Sequence, residues 1–338
     1  MRHQWAVIAL AAGCASHTTD RVVSDAEIVV MVADSTSPPG SGSPSDLFTM
    51  NLDGSHSTQI THDPELEFLP HFSPDGTQLV YTKFLTGTYG TPHAMTDIGV
   101  YDFTTEQETL ITDRGDAMQA VWSPDGSQLA FLAESGSNSS LWLMNPDGSD
   151  PRSIGSATGS ADDALWGDLA WSSDDWLIFV VAEEPSGPCF KTRIDKMRPD
   201  GTERTQVDDG GESCTPTGME QAGDADPGIS ADGQTIYTSR GEPRSPAGAS
   251  PPTTERRLVS LSTDAWTPGK VETDLALPSE PDCIEGVPKG SPDGTRILEF
   301  RACFDAPHPM GVYLTDAAGS YRTYLTSGFG ADWNPVAR

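Results

Sequence analysis

One four-residue word recurs along this chain and restricts what it can fold into. It stands as Ser73-Pro74-Asp75-Gly76, Ser123-Pro124-Asp125-Gly126 and Ser291-Pro292-Asp293-Gly294, with altered copies at Ser172-Ser173-Asp174-Asp175 and Ser230-Ala231-Asp232-Gly233. Each copy encodes a tight turn. Proline fixes φ near −65° at the second position, Asp can bond back to its own backbone, and Gly supplies the positive φ that closes the turn. A short apolar run follows each copy: Leu79-Val80-Tyr81, Leu129-Ala130-Phe131, Leu177 to Val181, Ile236-Tyr237 and Ile297-Leu298. Strand, turn, strand is a β-hairpin. A hairpin returning every roughly 40–60 residues points to a propeller.

A second word completes the unit. Asn51-Leu52-Asp53-Gly54, Asn145-Pro146-Asp147-Gly148 and Arg198-Pro199-Asp200-Gly201 are turns between a third and a fourth strand. The repeating unit is therefore a four-stranded antiparallel blade. Units begin near Phe72, Trp122, Trp171, Ile229 and Gly290, and a further unit starts at Asp332-Trp333 but stops after one strand. Its missing strands match Ile28–Ala33, Leu47–Met50 and Ser57–Thr61 at the other end. The expectation is an all-β, six-bladed propeller over residues 27–338, its last blade shared between the termini and its sheet edges removed by closure.

Charge narrows the function classes. Twenty basic residues face 50 acidic ones, a net −30, which opposes binding to phosphate backbones or anionic lipid surfaces. It suits solubility, metal ions or cationic partners. Residues 1–13 form a processing signal: Arg2 and His3, then the apolar run Trp5–Ala12, too short to span a membrane. Leu10-Ala11-Ala12-Gly13-Cys14 resembles the lipobox of bacterial lipoproteins, which implies lipidation of Cys14 and a polar tether over residues 14–26. Ala15 is not the Asp of inner-membrane retention, so this resemblance implies an outer-membrane lipoprotein facing periplasm or surface. Cys189, Cys214, Cys283 and Cys303 remain, an even set expected to form two disulfides. The local pairing, Cys189–Cys214 and Cys283–Cys303, is preferred because each pair lies within about one blade.

Trp122-Ser123-Pro124-Asp125-Gly126 with Leu129-Ala130-Phe131, then Leu141-Trp142-Leu143-Met144-Asn145-Pro146-Asp147-Gly148, resembles the TolB-type WD40-like β-propeller repeat. The resemblance covers nearly all of residues 27–338 and implies the fold. It carries no activity, because the repeat residues are structural and the fold serves many exported proteins. It also matches the propeller alone, so the Tol–Pal role of TolB does not follow. No G-x-S-x-G elbow is present to imply the peptidases that carry such propellers.

The two turn words share one face of the disc, which leaves the long segments Lys83–Thr96, Ala182–Ile194 and Ser239–Arg257, and the four cysteines, on the other. Variable loops on a rigid scaffold are where binding usually sits. Acids precede the innermost strands on that face: Glu67, Asp224 and Glu285 five before the turn-flanking position, Asp168 and Asp226 three before, Asp116 six before and Asp332 one before. They form a candidate mouth for a metal, Ca²⁺ being the best match to carboxylate oxygens, or for a cationic ligand. His71 and Lys289 interrupt this pattern next to the turn. The turn aromatics Phe72, Trp122, Trp171 and Trp333 read as blade packing. The expected function is a lipid-anchored, monomeric envelope propeller, non-enzymatic, that binds a protein or peptide through its loop-rich face. Its membrane contact is the lipid anchor alone. The alternative is a Ca-dependent, lactonase- or lyase-like enzyme using the acidic mouth.

Overall fold

A computed structural model describes residues 25–33, 45–87, 94–135, 138–156, 163–183, 191–210, 222–244, 253–275, 283–303 and 309–337. Cys14, Cys189, Cys214 and the side chain of Asp168 lie outside the described residues, as does most of the signal and tether. All regular structure among the described residues is β.

The strands fall into antiparallel sets of four. The first complete run is β4 (Leu66–Phe72), β5 (Gln78–Thr86), β6 (Met95–Asp102) and β7 (Gln107–Leu110), paired in chain order. The next is β8 (Ala117–Trp122), β9 (Leu129–Ser135), β10 (Asn138–Met144) and β11 (Arg152–Ser156). Then come β12 (Asp163–Trp171), β13 (Leu177–Glu183), β14 (Lys191–Met197) and β15 (Thr205–Gln206). They are followed by β16 (Ala222–Ile229), β17 (Thr235–Arg244), β18 (Thr253–Ser262) and β19 (Thr273–Asp274). The last consecutive set is β20 (Cys283–Gly290), β21 (Arg296–Cys303), β22 (Gly311–Asp316) and β23 (Arg322–Thr326). At the N-terminal end β1 (Ile28–Ala33), β2 (Ser45–Met50) and β3 (Thr58–Gln59) pair in order. The C-terminal β24 (Ala331–Trp333) lies antiparallel to β1, with Ile28 opposite Trp333.

The turn word works as its chemistry demands. Ser73, Ser123, Ser172, Ser230 and Ser291 each donate a hydroxyl to the Asp two residues on, at 2.6–2.7 Å. The glycine or Asp175 amide returns to the Ser carbonyl. Gly76, Gly126, Gly233 and Gly294 have φ between 68° and 73°, and Asp175, in the one copy without Gly, is held at 69°.

The core sits between neighbouring sheets rather than inside any one of them. Val80, Ile98 and Val100 pack on Trp122, Leu129 and Phe131 of the next set. Leu141 and Leu143 pack on Leu177 and Phe179, Ile178 and Ile194 on Ile236 and Val259, and Tyr237 and Leu258 on Ile297. Val29 and Leu47 meet Leu79 and Tyr81, while Ile28 and Val30 meet Leu298 and Val312. A strand must therefore be apolar on both faces, which is why β8 and β13 are nearly all buried.

Candidate functional site at the inner strand ends

Four of the innermost strands, β4, β8, β16 and β20, are broken by a bulge at the same place. In β4 the partner of Phe68 is Thr82 and that of His71 is Val80, so three steps on one strand match two on the other. The same one-residue excess falls between Met118 and Val121, Ala225 and Gly228, and Gly286 and Lys289. The extra residue is left-handed: Leu69, Gln119, Asp226 and Val287 have φ of 51–55°. Such a conformation in a non-glycine residue costs of order 1–3 kcal/mol and persists only where the surroundings impose it. The bulge inverts the two-residue alternation of side chains. Residues four apart, such as Glu285 and Lys289, therefore point to opposite faces of β20.

Before the bulge lie three of the sequence-predicted acids. Glu67, Asp224 and Glu285 are 0%, 0% and 3% exposed, respectively. Each faces a cation on the adjacent strand: Lys83, Arg240 and Arg301 are their ladder partners. Lys83 Nζ is 3.6 Å from Glu67, 3.5 Å from Glu108 and closer still to Asp63. Arg240 donates to both oxygens of Asp224 at 2.8 Å and to Asp208 at 2.6 Å, and also pairs with Glu272. Glu285 meets Arg301 at 3.2 Å and Arg322 at 3.0 Å, and accepts the Leu258 amide of the preceding sheet. Glu67 likewise accepts from Thr61, whose hydroxyl caps the Leu47 amide. These acids tie one sheet to the next.

Burial dominates their titration. It pushes Glu67 up to about 9 and Glu285 up to about 7, and holds Asp224 well above the usual carboxylate range. Asp63, Glu67 and Glu108, and Asp208, Asp209 and Glu272, are close enough to share a metal ion. In both groups a side-chain cation, Lys83 or Arg240, already stands among the oxygens.

The other sequence-predicted acids have separate settings. Asp116 is half-buried and paired with Arg114 at 2.9 Å, which stacks on Trp142. Asp226 is the left-handed bulge residue, and its carboxylate packs where a side chain on Gly286 would stand. Asp332 lies after the bulge position, at the opposite end of the inner strands from Glu67.

At that end the structure has a cavity of about 350 Å³. Its wall takes one matching residue from each innermost strand: His71, Val121, Ala170, Gly228, Lys289 and Asp332. Phe72, Trp122, Trp171, Ile229 and Trp333 form the next layer, and the turn-word residues Pro74, Pro124, Ser173, Ala231 and Pro292 form the rim. The cavity thus opens among the short turns. The tryptophans brace it as well as fill it. Trp122 Nε1 donates to the His71 carbonyl at 3.3 Å and Trp333 Nε1 to the Lys289 carbonyl at 2.8 Å, each across to a neighbouring sheet. Gly228 has no room for a side chain, because a Cβ there would stand 2.0 Å from the Pro288 carbonyl oxygen.

The polar residues of this wall are adjacent. Asp332 Oδ2 accepts the Phe72 amide at 3.0 Å and lies 3.4 Å from His71 Nδ1. Burial, then the charge of Lys289, lowers the His71 pKa. Lys289 is 8% exposed, yet among the described residues its ammonium has no hydrogen bond or ion pair. The sequence marked His71 and Lys289 only as interruptions of an acid pattern. The signal that could have separated them from the acids is the proline inside strands β4, β16 and β20, at Pro70, Pro227 and Pro288, since proline within a strand marks an edge or a bulge.

Cys283 and Cys303 are bonded across β20 and β21, opposite one another in the ladder.

No protein-family model matches the chain. The Tol-Pal system protein TolB of Anaeromyxobacter dehalogenans is 27% identical over 109 residues, 32% of this chain and 24% of that protein. The TolB homolog of Chlorobium luteolum is 27% identical over 114 residues, 34% of this chain and 24% of the relative. The matched region is thus about a quarter of the length of these curated relatives. The crystal structure of TolB from Acinetobacter baumannii superposes with a TM-score of 0.61 and 15% identity, covering 91% of this chain and 66% of that one. That likeness is one of fold.

Proposed function

We propose, from the premise that this chain is a TolB-type β-propeller repeat protein, that it works in the bacterial cell envelope by binding a protein or peptide. The six sets of strands are read as blades of one closed ring. The pairing of β24 with β1 and the packing of β1 and β2 between the sets on either side support that closure. The observation that carries the binding reading is the cavity ringed by the same position of all six inner strands. A rigid, braced, concave site with a few polar groups in an apolar wall is what a ligand site requires. We therefore place the contact at the turn face, whereas the sequence favoured the long loops of the other face. Anchoring through a lipidated Cys14, at the outer membrane, is part of the same proposal, with residues 1–13 as signal, 14–26 as tether and 27–338 as propeller. The calcium-dependent enzyme draws less support, since the acid groupings that would hold the ion surround Lys83 and Arg240.

The test is site-specific photo-crosslinking in living cells, with the full chain carrying the probe at Ser173 or Ala231 on the turn rim, or at Thr86 and Thr254 on the opposite side. A defined adduct from the rim supports the reading. Adducts confined to the other side move the site to the loops, and none from either face removes the binding function. Cys14→Ser with membrane fractionation tests the anchor: the chain is expected to leave the membrane fraction.

A further inference from the structure

The cavity is two-faced, and its two halves follow chain order. Lys289, Asp332 and His71 come from three neighbouring sets: the last consecutive set, the set shared by β24 and β1–β3, and the first complete run. Val121, Ala170 and Gly228 come from the other three. One arc is polar and the facing arc apolar.

The polar arc is incomplete in a specific way. Asp332 has one oxygen committed to the Phe72 amide and His71, and among the described residues the other has no donor. Lys289 is more than nine-tenths buried and lines the cavity, but nothing accepts its protons among the described residues. Other deep cations among the described residues stand beside carboxylates: Arg240 meets three of them, and Arg301 meets Glu285 through Nε. Keeping an unpaired ammonium in such a setting opposes folding. A charge on a mostly buried side chain, presented to a cavity and without a protein partner among the described residues, is the pattern of a site whose partner is a ligand.

We propose that this arc receives an α-carboxylate next to an N–H group, with an apolar side chain laid against Val121 and Ala170. Lys289 donates to the carboxylate and the other oxygen of Asp332 accepts the N–H. The charge count favours this ligand over a phosphate. One ammonium balances one negative charge, while a dianion would also meet the Asp332 carboxylate. The tryptophan brackets hold the Lys289 and His71 backbones, so the arc is preorganised and little ordering is lost on binding. Two sources share this chemistry, the free C-terminus of a peptide and an N-acylated amino acid.

The inference rests on the reading that the turn-face cavity binds ligand, but its test is separate from crosslinking. Full-length protein is titrated calorimetrically with N-acetyl-phenylalanine and with N-acetyl-phenylalaninamide, which differ only in the charge. The acid is expected to bind about tenfold or more tightly than the amide, as a charge-assisted hydrogen bond allows. In Lys289→Met the two are expected to become equal, with the circular dichroism spectrum and melting cooperativity retained. Equal affinities in the wild type, or binding of neither, overturn the proposal without needing any variant. So does a preference that survives in Lys289→Met. Acetyl-Ala-Ala-Phe in free-acid and amide forms identifies the source. Tighter binding than acetyl-phenylalanine assigns a peptide terminus, and equal binding assigns the small acid. Rim crosslinks to a protein alongside equal acid and amide affinities would sink this inference and leave the proposed function standing.

Discussion

Two buried cations of neighbouring strand sets, Arg240 and Lys289, have opposite settings. Arg240 stands on β17 before the bulge level and is saturated by Asp208, Asp224 and Glu272. Lys289 stands on β20 after the bulge and has no anion within bonding distance among the described residues. The first belongs to the seam that binds sheet to sheet. The second belongs to the cavity. On β20 one extra residue separates Lys289 from the seam acid Glu285, since it decides which face a side chain takes.

That contrast can be broken by mutation. The largest expected effect is at the saturated site. Arg240→Met should cost about 3–5 kcal/mol in denaturant unfolding, because it leaves two sealed carboxylates without a counter-charge. A loss below 1 kcal/mol would mean that the seam does not depend on the pair. The bulge itself comes next. At Gln119, with φ of 55°, Gly should be more stable than Ala by about 1 kcal/mol, the reverse of the order in an ordinary strand.

Glu67→Gln tests the seam acids through pH. The folded pKa of about 9 lies above the ordinary 4.5, so the folded state holds a proton that the unfolded state releases. Stability from this group is full below about 4.5 and declines as pH rises through about 9. The variant should flatten that decline in melting temperature, and an unchanged slope would show that Glu67 is charged when folded. The smallest effect is expected at the unsaturated site. Lys289→Met should leave stability within about 0.5 kcal/mol or raise it, and a large loss would reveal an anion that Lys289 serves in the fold.

Much of the architecture was legible in the residues. The turn words carry their own mechanism, so Gly76 and Asp75 announce a hairpin wherever they stand. The spacing of the words gave four strands to a set, and β24 pairs with β1 as counting the strands required. The Cys283–Cys303 bond also followed from spacing. The site was less legible. Glu67, Asp116, Asp168, Asp224, Asp226, Glu285 and Asp332 look like one series when aligned on the turn, and alternation would put those an even number apart on one face. The bulge breaks that rule between Asp226 and Gly228 and between Val287 and Lys289. Glu67 and Asp332, assigned to one mouth, stand at opposite ends of the inner strands.

What the sequence determined by itself is local: which four residues turn, which runs are apolar, and how many times the unit repeats. These depend on φ preferences and alternation, and each can be read within a few positions of the chain. Only the tertiary structure decided which charges meet. Arg240 finds Asp208 and Glu272 at a distance of 32 residues, and His71 finds Asp332 from nearly the other end of the chain. Electrostatic partners are set by which sheets pack side by side, which leaves no periodic mark in the sequence, and by a one-residue bulge at which only Pro70, Pro227 and Pro288 hint.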